Sequence, residues 1–126
     1  MKIEIENKEI RTEDGRVFSP FCIVRHFKGK YYMVLDLDTT HTETGEPLII
    51  YRALYGDNKV YARPKEMFLS EVDHNKYPLE KTKYRLTPIT SLIKEMGKHE
   101  FIKQLVRDEE ENNESYDILH IEGSIC

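Results

Sequence analysis

Short runs of aromatic and β-branched residues, separated by glycine-bearing turns, constrain this chain most strongly between residues 24 and 72. Runs of that composition predict strands, and a glycine in the intervening turn readily adopts a positive φ. Short strands at this close spacing predict a small barrel or a sandwich. The predicted strands are residues 31–37, 48–55 and 60–63, followed by one helical turn at residues 64–69.

The flanking segments extend this β region in both directions. Asp14-Gly15 is a strong hairpin signal, so residues 9–12 and 16–18 are expected to form the two arms of an N-terminal hairpin. Residues 21–24 and 83–86 are expected to add strands, and residues 2–5 and 116–121 also have strand-like patterns. Residues 1–88 are therefore predicted to form one mainly β domain.

The hydrophobic pattern changes after residue 88. Apolar residues recur there at helical spacing, with a change of phase at Gly97 that predicts either one bent helix or two short helices. Residues 89–126 are thus a predicted C-terminal extension, helical and acidic, whose apolar stripe packs on the β domain or on a second copy of the protein. Within it, residues 108–114 are expected to be a solvated acidic linker, as blocks of like charge usually are, with a DNA-mimicking or metal-attracting tail as the alternative. The stripe consists of Ile89, Leu92, Ile93, Met96, Phe101, Ile102, Leu105 and Val106.

Charge is distributed unevenly along the 126 residues. The net charge of −4 divides into +3 for residues 16–90 and −5 for residues 91–126, with the remainder in the first fifteen. A sequence pI near 5.7 argues against a dedicated nucleic-acid domain, but a mildly basic β domain leaves room for a local anion site. The chain lacks an apolar run long enough to span a membrane and a signal peptide, so a cytoplasmic protein with free thiols at Cys22 and Cys126 is expected.

Five short motifs carry a resemblance to a known family. In order, they are Arg25-His26-Phe27-Lys28-Gly29, His41-x-Glu43-Thr44-Gly45-Glu46, Tyr51-Arg52-Ala53-Leu54-Tyr55-Gly56, Arg63-Pro64 and Met67-Phe68. Over roughly residues 16–75 the chain resembles a small bacterial and phage family, the domain of unknown function numbered sixteen fifty-three. The resemblance implies an SH3-like β-barrel and no particular activity. Many members have Trp where this chain has Tyr61.

Two groups of residues form the candidate ligand site. Arg25, His26 and Lys28 lie beside Gly29, and a cation cluster at a glycine turn suits phosphate. Aromatic and guanidinium groups also interleave on the next two strands, with Tyr61 and Arg63 on one face, and such surfaces bind nucleobases and phosphates. If the tyrosines instead fill the core, this second group is structural. Its members are Arg52, Tyr55, Tyr61 and Arg63.

These observations lead to three hypotheses for function. The first is a non-enzymatic binding module for a nucleotide or a short nucleic acid, without a cofactor or metal. The second is a protein-interaction module, with a homodimer formed through the C-terminal extension. The third is a metal-dependent hydrolase that uses His26, His41 and Glu43, since a carboxylate beside histidines is the minimum that such chemistry needs.

Overall fold

An antiparallel sheet of five strands dominates the computed structural model, which describes residues 8–116. The sheet is preceded by a hairpin and followed by two helices. The order of strands across the sheet is β6-β5-β4-β3-β7. The elements are β1 (Ile10–Arg11), β2 (Val17–Phe18), β3 (Ile23–His26), β4 (Lys30–Thr40), β5 (Pro47–Ala53), β6 (Val60–Pro64), α1 (Lys65–Phe68), β7 (Leu86–Pro88), α2 (Ile89–Met96) and α3 (Lys98–Asn112).

Most of the predicted elements are confirmed with small shifts at their ends. The hairpin pairs Ile10 with Phe18 around the Asp14-Gly15 turn, and α1 begins directly after Pro64. The segment predicted at 21–24 begins later, at Ile23, because Phe21 has a φ of 67° and is exposed. No helix among residues 8–116 is long and apolar enough to cross a membrane.

Some expectations fall beyond the part of the chain that the structure describes. The strand-like residues 2–5 and Cys126 lie outside it, and of residues 116–121 only Tyr116 is described. Cys22 is a free, half-buried cysteine, and burial raises the pKa of its thiol to about 11. The thiol of Cys22 is therefore protonated at neutral pH.

The five strands form an open sheet, so the prediction of a closed barrel is wrong. Closure would require β6 to pair with β7, but these strands are the two edges. Pro64 ends β6 without an N–H to offer a partner, and the chain then enters α1. The loop after α1 approaches the segment before β7 through one bridge, between Glu71 and Tyr84.

Alternation along the strands gives the sheet two apolar faces. Val24, Val34 and Ile49 point to a face that is covered by the hairpin residue Phe18 and by Phe68 of α1. We call this the hairpin face. The opposite face, here called the helix face, is covered by α2 and α3. Its fully or nearly fully buried side chains are Ile23, Tyr31, Leu54, Ile89, Phe101, Leu105 and Tyr116.

The C-terminal extension packs on the sheet as two helices. Gly97 has φ 88° and ψ 156°, which are not helical values, so α2 and α3 are separate. Phe101 and Leu105 of α3 are buried against Tyr31 on the helix face. Ile89, Phe101 and Leu105 of the apolar stripe thus pack on the sheet, whereas Val106 is 46% exposed.

The prediction of a solvated linker at residues 108–114 is wrong for residues 108–112. Residues 108–112 complete α3, and Asp108 is only 1% exposed. Asp108 follows Phe101 and Leu105 at intervals of four and three residues, so it lies on the buried stripe of the helix. Its carboxylate accepts hydrogen bonds from Arg25 Nε (2.7 Å) and Nη2 (2.9 Å), Tyr31 Oη (2.7 Å) and Gln104 Nε2 (2.8 Å).

The turn between β3 and β4 is shaped to receive α3. Gly29 has a φ of 87°, and a Cβ at this position would lie 2.8 Å from Asp108 Oδ1 and 2.9 Å from Asn112 Nδ2. Glycine is therefore required both by the backbone conformation and by the close approach of the helix. Asn112 Nδ2 also donates to the carbonyls of Lys28 (3.2 Å) and Gly29 (3.3 Å), and the Tyr116 hydroxyl donates to the Gly29 carbonyl.

Asp108→Asn is expected to lower the free energy of unfolding by about 3 kcal/mol, because it leaves the guanidinium of Arg25 buried without a counter-charge. Urea unfolding followed by circular dichroism measures the loss. Glu111→Gln is the matched control, since it removes the same charge from an exposed position on α3 and should cost less than about 0.5 kcal/mol. Equal transition midpoints for the two variants would contradict the role given to Asp108.

Candidate anion-binding site

Strand alternation separates the cations that the sequence places together around Gly29. Arg25 and His26 are neighbours on β3, so their side chains point to opposite faces of the sheet. Arg25 lies on the helix face beside Asp108, whereas His26 and Lys28 line a cleft elsewhere. The predicted cluster is therefore divided, and Arg25 is not part of the cleft that holds the other two.

Arg25 is instead held in a buried ion pair. Its side chain is 14% exposed, and its Nε and Nη2 atoms make a bidentate contact with the Asp108 carboxylate. Burial alone would lower the pKa of Arg25, but the hydrogen bonds and charge of Asp108 outweigh burial and raise it. Burial and the bond to Asp108 raise the pKa of Tyr31, so its hydroxyl remains a donor.

A basic cleft of about 350 Å³ brings together His26, Lys28 and Arg63 from the predicted site. Because β3, β6 and two loops meet there, it also gathers cations that are distant in sequence. Four cations line it, and none of them forms a salt bridge with a described residue: Lys28, Arg63, Lys76 and Arg85. We call it the basic cleft. It is lined by His26, Phe27, Lys28, Arg63, Asp73, Lys76, Tyr77 and Arg85.

His26 is a neutral donor at the edge of this cleft. The backbone N–H of Lys28 donates to His26 Nδ1 (3.1 Å), so in the neutral ring the proton is carried by Nε2. Burial and then the charges of Arg63, Arg85, Lys28 and Arg25 lower the pKa of His26 to about 4. The same charges that disfavour the imidazolium form would favour an anion in the cleft.

The carboxylate of Asp73 is engaged locally rather than paired with the cations. Its Oδ1 accepts hydrogen bonds from the backbone N–H groups of Asn75 (3.0 Å) and Lys76 (3.3 Å), which shape the loop. Tyr77 lies at the end of that loop, and Lys28 Nζ is 5.2 Å from the centroid of its ring. A hydrogen bond with Lys28, together with the charges of Lys28 and Lys76, lowers the pKa of Tyr77. Lys28 is thereby positioned over an aromatic ring at the cleft.

Arg63 connects the basic cleft to a row of tyrosines. Its Nε donates to the hydroxyl of Tyr51 (3.0 Å), whose ring centroid lies 5.7 Å from that of Tyr61 and 5.2 Å from that of Tyr32. Tyr51 is buried in the core, but Tyr61 is 40% exposed on the edge strand. Tyr61 and Arg63 thus share one face of β6, and Tyr61 keeps part of its surface in solvent.

Arg52 and Tyr55, like Tyr61, do not line the basic cleft. Arg52 is exposed on β5, opposite Met33 in the register, so it points to the helix face. Tyr55 lies beyond the end of β5, where alternation no longer sets its direction. Its hydroxyl is 2.8 Å from that of Tyr32, and its ring contacts Tyr116.

The three residues of the proposed hydrolase are not brought together. His26 and His41 flank opposite ends of β4, whose eleven residues span roughly 35 Å. His41 Nδ1 accepts hydrogen bonds from the backbone N–H groups of Glu43 (3.2 Å) and Thr44 (3.3 Å), so the ring stabilises its own loop. Within residues 8–116, no cluster of three His, Cys, Asp or Glu side chains is arranged to hold a metal ion.

Sequence reasoning missed Lys76, Tyr77 and Arg85 as members of the basic cleft. They lie between α1 and β7 in a segment without regular structure. The strand expected at residues 83–86 begins only at Leu86, so strand alternation does not set the direction of Arg85. The available signal was the net positive charge of residues 16–90. Backbone hydrogen bonds fix Arg85 in position: its N–H donates to Ser70 O (3.0 Å), and its carbonyl accepts from Phe27 N (3.0 Å).

Comparison with known proteins identifies one family. The sequence model described as "Protein of unknown function (DUF1653)" matches residues 22–87, just over half of the 126 residues. This span runs from β3 to β7 and contains every residue that lines the basic cleft. No curated protein and no solved structure matches the sequence. The chain belongs to the DUF1653 family, whose members are proteins of unknown function.

Proposed function

We propose that this protein is a non-enzymatic binding module whose basic cleft holds the phosphate of a nucleotide or a short nucleic acid. The observation that carries the proposal is the convergence of four cations without a salt bridge to any described residue: Lys28, Arg63, Lys76 and Arg85. Asp73 is the single carboxylate of the lining, and its Oδ1 accepts backbone hydrogen bonds. A phosphate would supply the missing counter-charge.

The guanidinium groups are held before any ligand arrives. Arg63 Nε is fixed by the Tyr51 hydroxyl (3.0 Å), and Arg85 Nε lies 3.3 Å from Ser70 Oγ. Each of these contacts uses one donor and leaves the terminal nitrogens without a partner among the described residues. Donors that are already positioned lose less conformational entropy when an anion binds.

An exposed ring lies next to the phosphate-binding groups. Tyr61 precedes Arg63 by two residues on β6, and both lie beside Tyr51. Aromatic rings accept bases of any sequence by stacking, which contributes about 1–3 kcal/mol per base. A phosphate held by Arg63 and a base on Tyr61 would both lie beside Tyr51, which favours a nucleotide unit over inorganic phosphate.

We infer that the open sheet corresponds to an incompletely closed SH3-like barrel, since Val72 N donates to Lys83 O (2.8 Å) and draws the loop after α1 towards β7. The homodimer through the C-terminal extension has less support, because Phe101 and Leu105 are buried in the protein's own core. We therefore place the proposed function at the basic cleft.

Lys28→Gln and Arg63→Gln are each expected to weaken binding of a fluorescent eight-nucleotide single strand by about tenfold, because each removes a charged donor from the phosphate. Fluorescence anisotropy at low salt measures the affinity. Lys94→Gln on α2 is the control, since it removes the same charge from an exposed position on the helix side. Equal affinities for all four proteins, or no binding at all, would contradict the proposed site.

Tyr61→Ala should separate base stacking from phosphate binding. The variant is expected to weaken the oligonucleotide by about fivefold or more, because it removes the platform for one base, and to leave affinity for inorganic phosphate unchanged. Val60→Ala, a truncation of an exposed apolar neighbour, should change neither affinity. If Tyr61→Ala leaves the oligonucleotide affinity intact, the ring is not part of the site.

Anion binding should also be coupled to the protonation of His26. The pKa of His26 is lowered to about 4, and a bound anion would raise it by offsetting the charge of the surrounding cations. Because the bound form then takes up a proton, affinity should increase as the pH falls from about 7 towards 4. Sulfate is a suitable probe, since it stays a dianion over this range.

The affinity for sulfate is measured by calorimetry, and the His26 ring is followed by NMR. His26→Gln removes the titrating side chain, so it is expected to abolish the protein's contribution to the pH dependence of sulfate affinity. An unchanged pKa of His26 in saturating sulfate would show that the anion does not enter the basic cleft.

A further inference from the structure

A second cleft, of about 490 Å³, lies on the helix face of the sheet. Arg25 of β3 and Thr87 of β7 line it, Leu92 and Met96 of α2 form an apolar wall, and residues 81–84 close another side. Its volume lies in the range of small-molecule sites, about 300–1,000 Å³. We call it the helix-face cleft. It shares no lining residue with the basic cleft.

Arg25 has one edge of its guanidinium available in this cleft. Nε and Nη2 donate to Asp108, whereas Nη1 has no partner among residues 8–116. Every fully buried side-chain nitrogen or oxygen of the described residues does have a partner, so Nη1 reaches solvent. The ion pair with Asp108 thus fixes the plane of the group and leaves free N–H donors where Arg25 lines the cleft.

A hydroxyl lies beside this free edge. Thr87 is the direct partner of Arg25 in the pairing of β3 with β7, so their side chains are neighbours on the helix face. Both residues line the helix-face cleft, and the Thr87 hydroxyl makes no hydrogen bond within the described chain. A guanidinium edge and a hydroxyl side by side match the two oxygens of a carboxylate.

The rest of the lining favours a single negative charge on an apolar body. Asp108 already offsets the charge of Arg25, Glu95 is a lining carboxylate, and Lys83 also pairs with Glu71, so the net positive charge is small. Leu92 and Met96 are half-buried and offer apolar contact next to the polar floor. A dianion would lose its hydration without sufficient counter-charge there.

We propose that the helix-face cleft binds a small monocarboxylate whose apolar part packs on Leu92 and Met96 while its carboxylate accepts hydrogen bonds from Arg25 Nη1 and the Thr87 hydroxyl. This site is independent of the basic cleft and of the function proposed for it. Arg25, a predicted ligand-binding residue, would then bind a ligand on the opposite face from the one used by His26 and Lys28.

NMR spectroscopy of the full chain tests this site with 3-phenylpropionate as the probe. Titration is expected to shift the signals of Arg25 Nε–H, Thr87 and the Met96 methyl group. The uncharged analogue 3-phenyl-1-propanol should bind at least tenfold more weakly, because it cannot accept two charge-assisted hydrogen bonds. Thr87→Val keeps the shape of the strand residue and should weaken the acid about fivefold, but not the alcohol.

Two surface variants make the result unambiguous. Lys81→Gln, at an exposed rim position, should weaken the acid, while Arg63→Gln in the basic cleft should leave its affinity unchanged. The proposal is overturned if the acid shifts no signals up to its solubility limit, if its shifts map to the basic cleft, or if the alcohol binds equally well. Arg63 lines the basic cleft and not the helix-face cleft, so Arg63→Gln distinguishes a failure of one proposed site from a failure of the other.

Discussion

The buried ion pair between Arg25 and Asp108 is the interaction on which the rest of this structure depends. It joins β3, the strand next to the β7 edge of the sheet, to the last helix across 83 positions of sequence. Removing two charges from water is costly, and the cost is offset here because Tyr31 and Gln104 occupy the remaining acceptor positions of the carboxylate. A carboxylate with four donors around it fixes both the rotation of α3 and the direction of Arg25.

The same helix also holds the turn that carries the proposed phosphate-binding groups. Asn112 and Tyr116 donate to the carbonyls of Lys28 and Gly29, and Gly29 allows the helix to approach this closely. The side chains of His26 and Lys28 then extend from the other side of a supported turn. The C-terminal extension therefore contributes to the geometry of the basic cleft without lining it.

Sequence patterns predicted most of the strands, because side chains alternate along a strand. They also predicted the turns, because glycine adopts the positive φ found at Gly29 and Gly45. They grouped Arg25 with His26 and Lys28 because the three are close in the chain, although alternation places Arg25 on the opposite face of the sheet from His26. They failed for Asp108 because its charge was given more weight than its place on the apolar stripe of α3. Arg85 and Lys76 lie in irregular segments, and only tertiary packing determines where such side chains point.

The two outer strands of the open sheet share one feature, which is a proline at the end. Pro64 closes β6 and Pro88 closes β7, and neither residue has an N–H to extend a ladder. The two strands are also short, with five and three residues. An exposed strand edge is a template on which other chains aggregate, and short, proline-terminated edges are poor templates. The sheet can therefore remain unclosed without recruiting neighbouring chains into intermolecular β-structure.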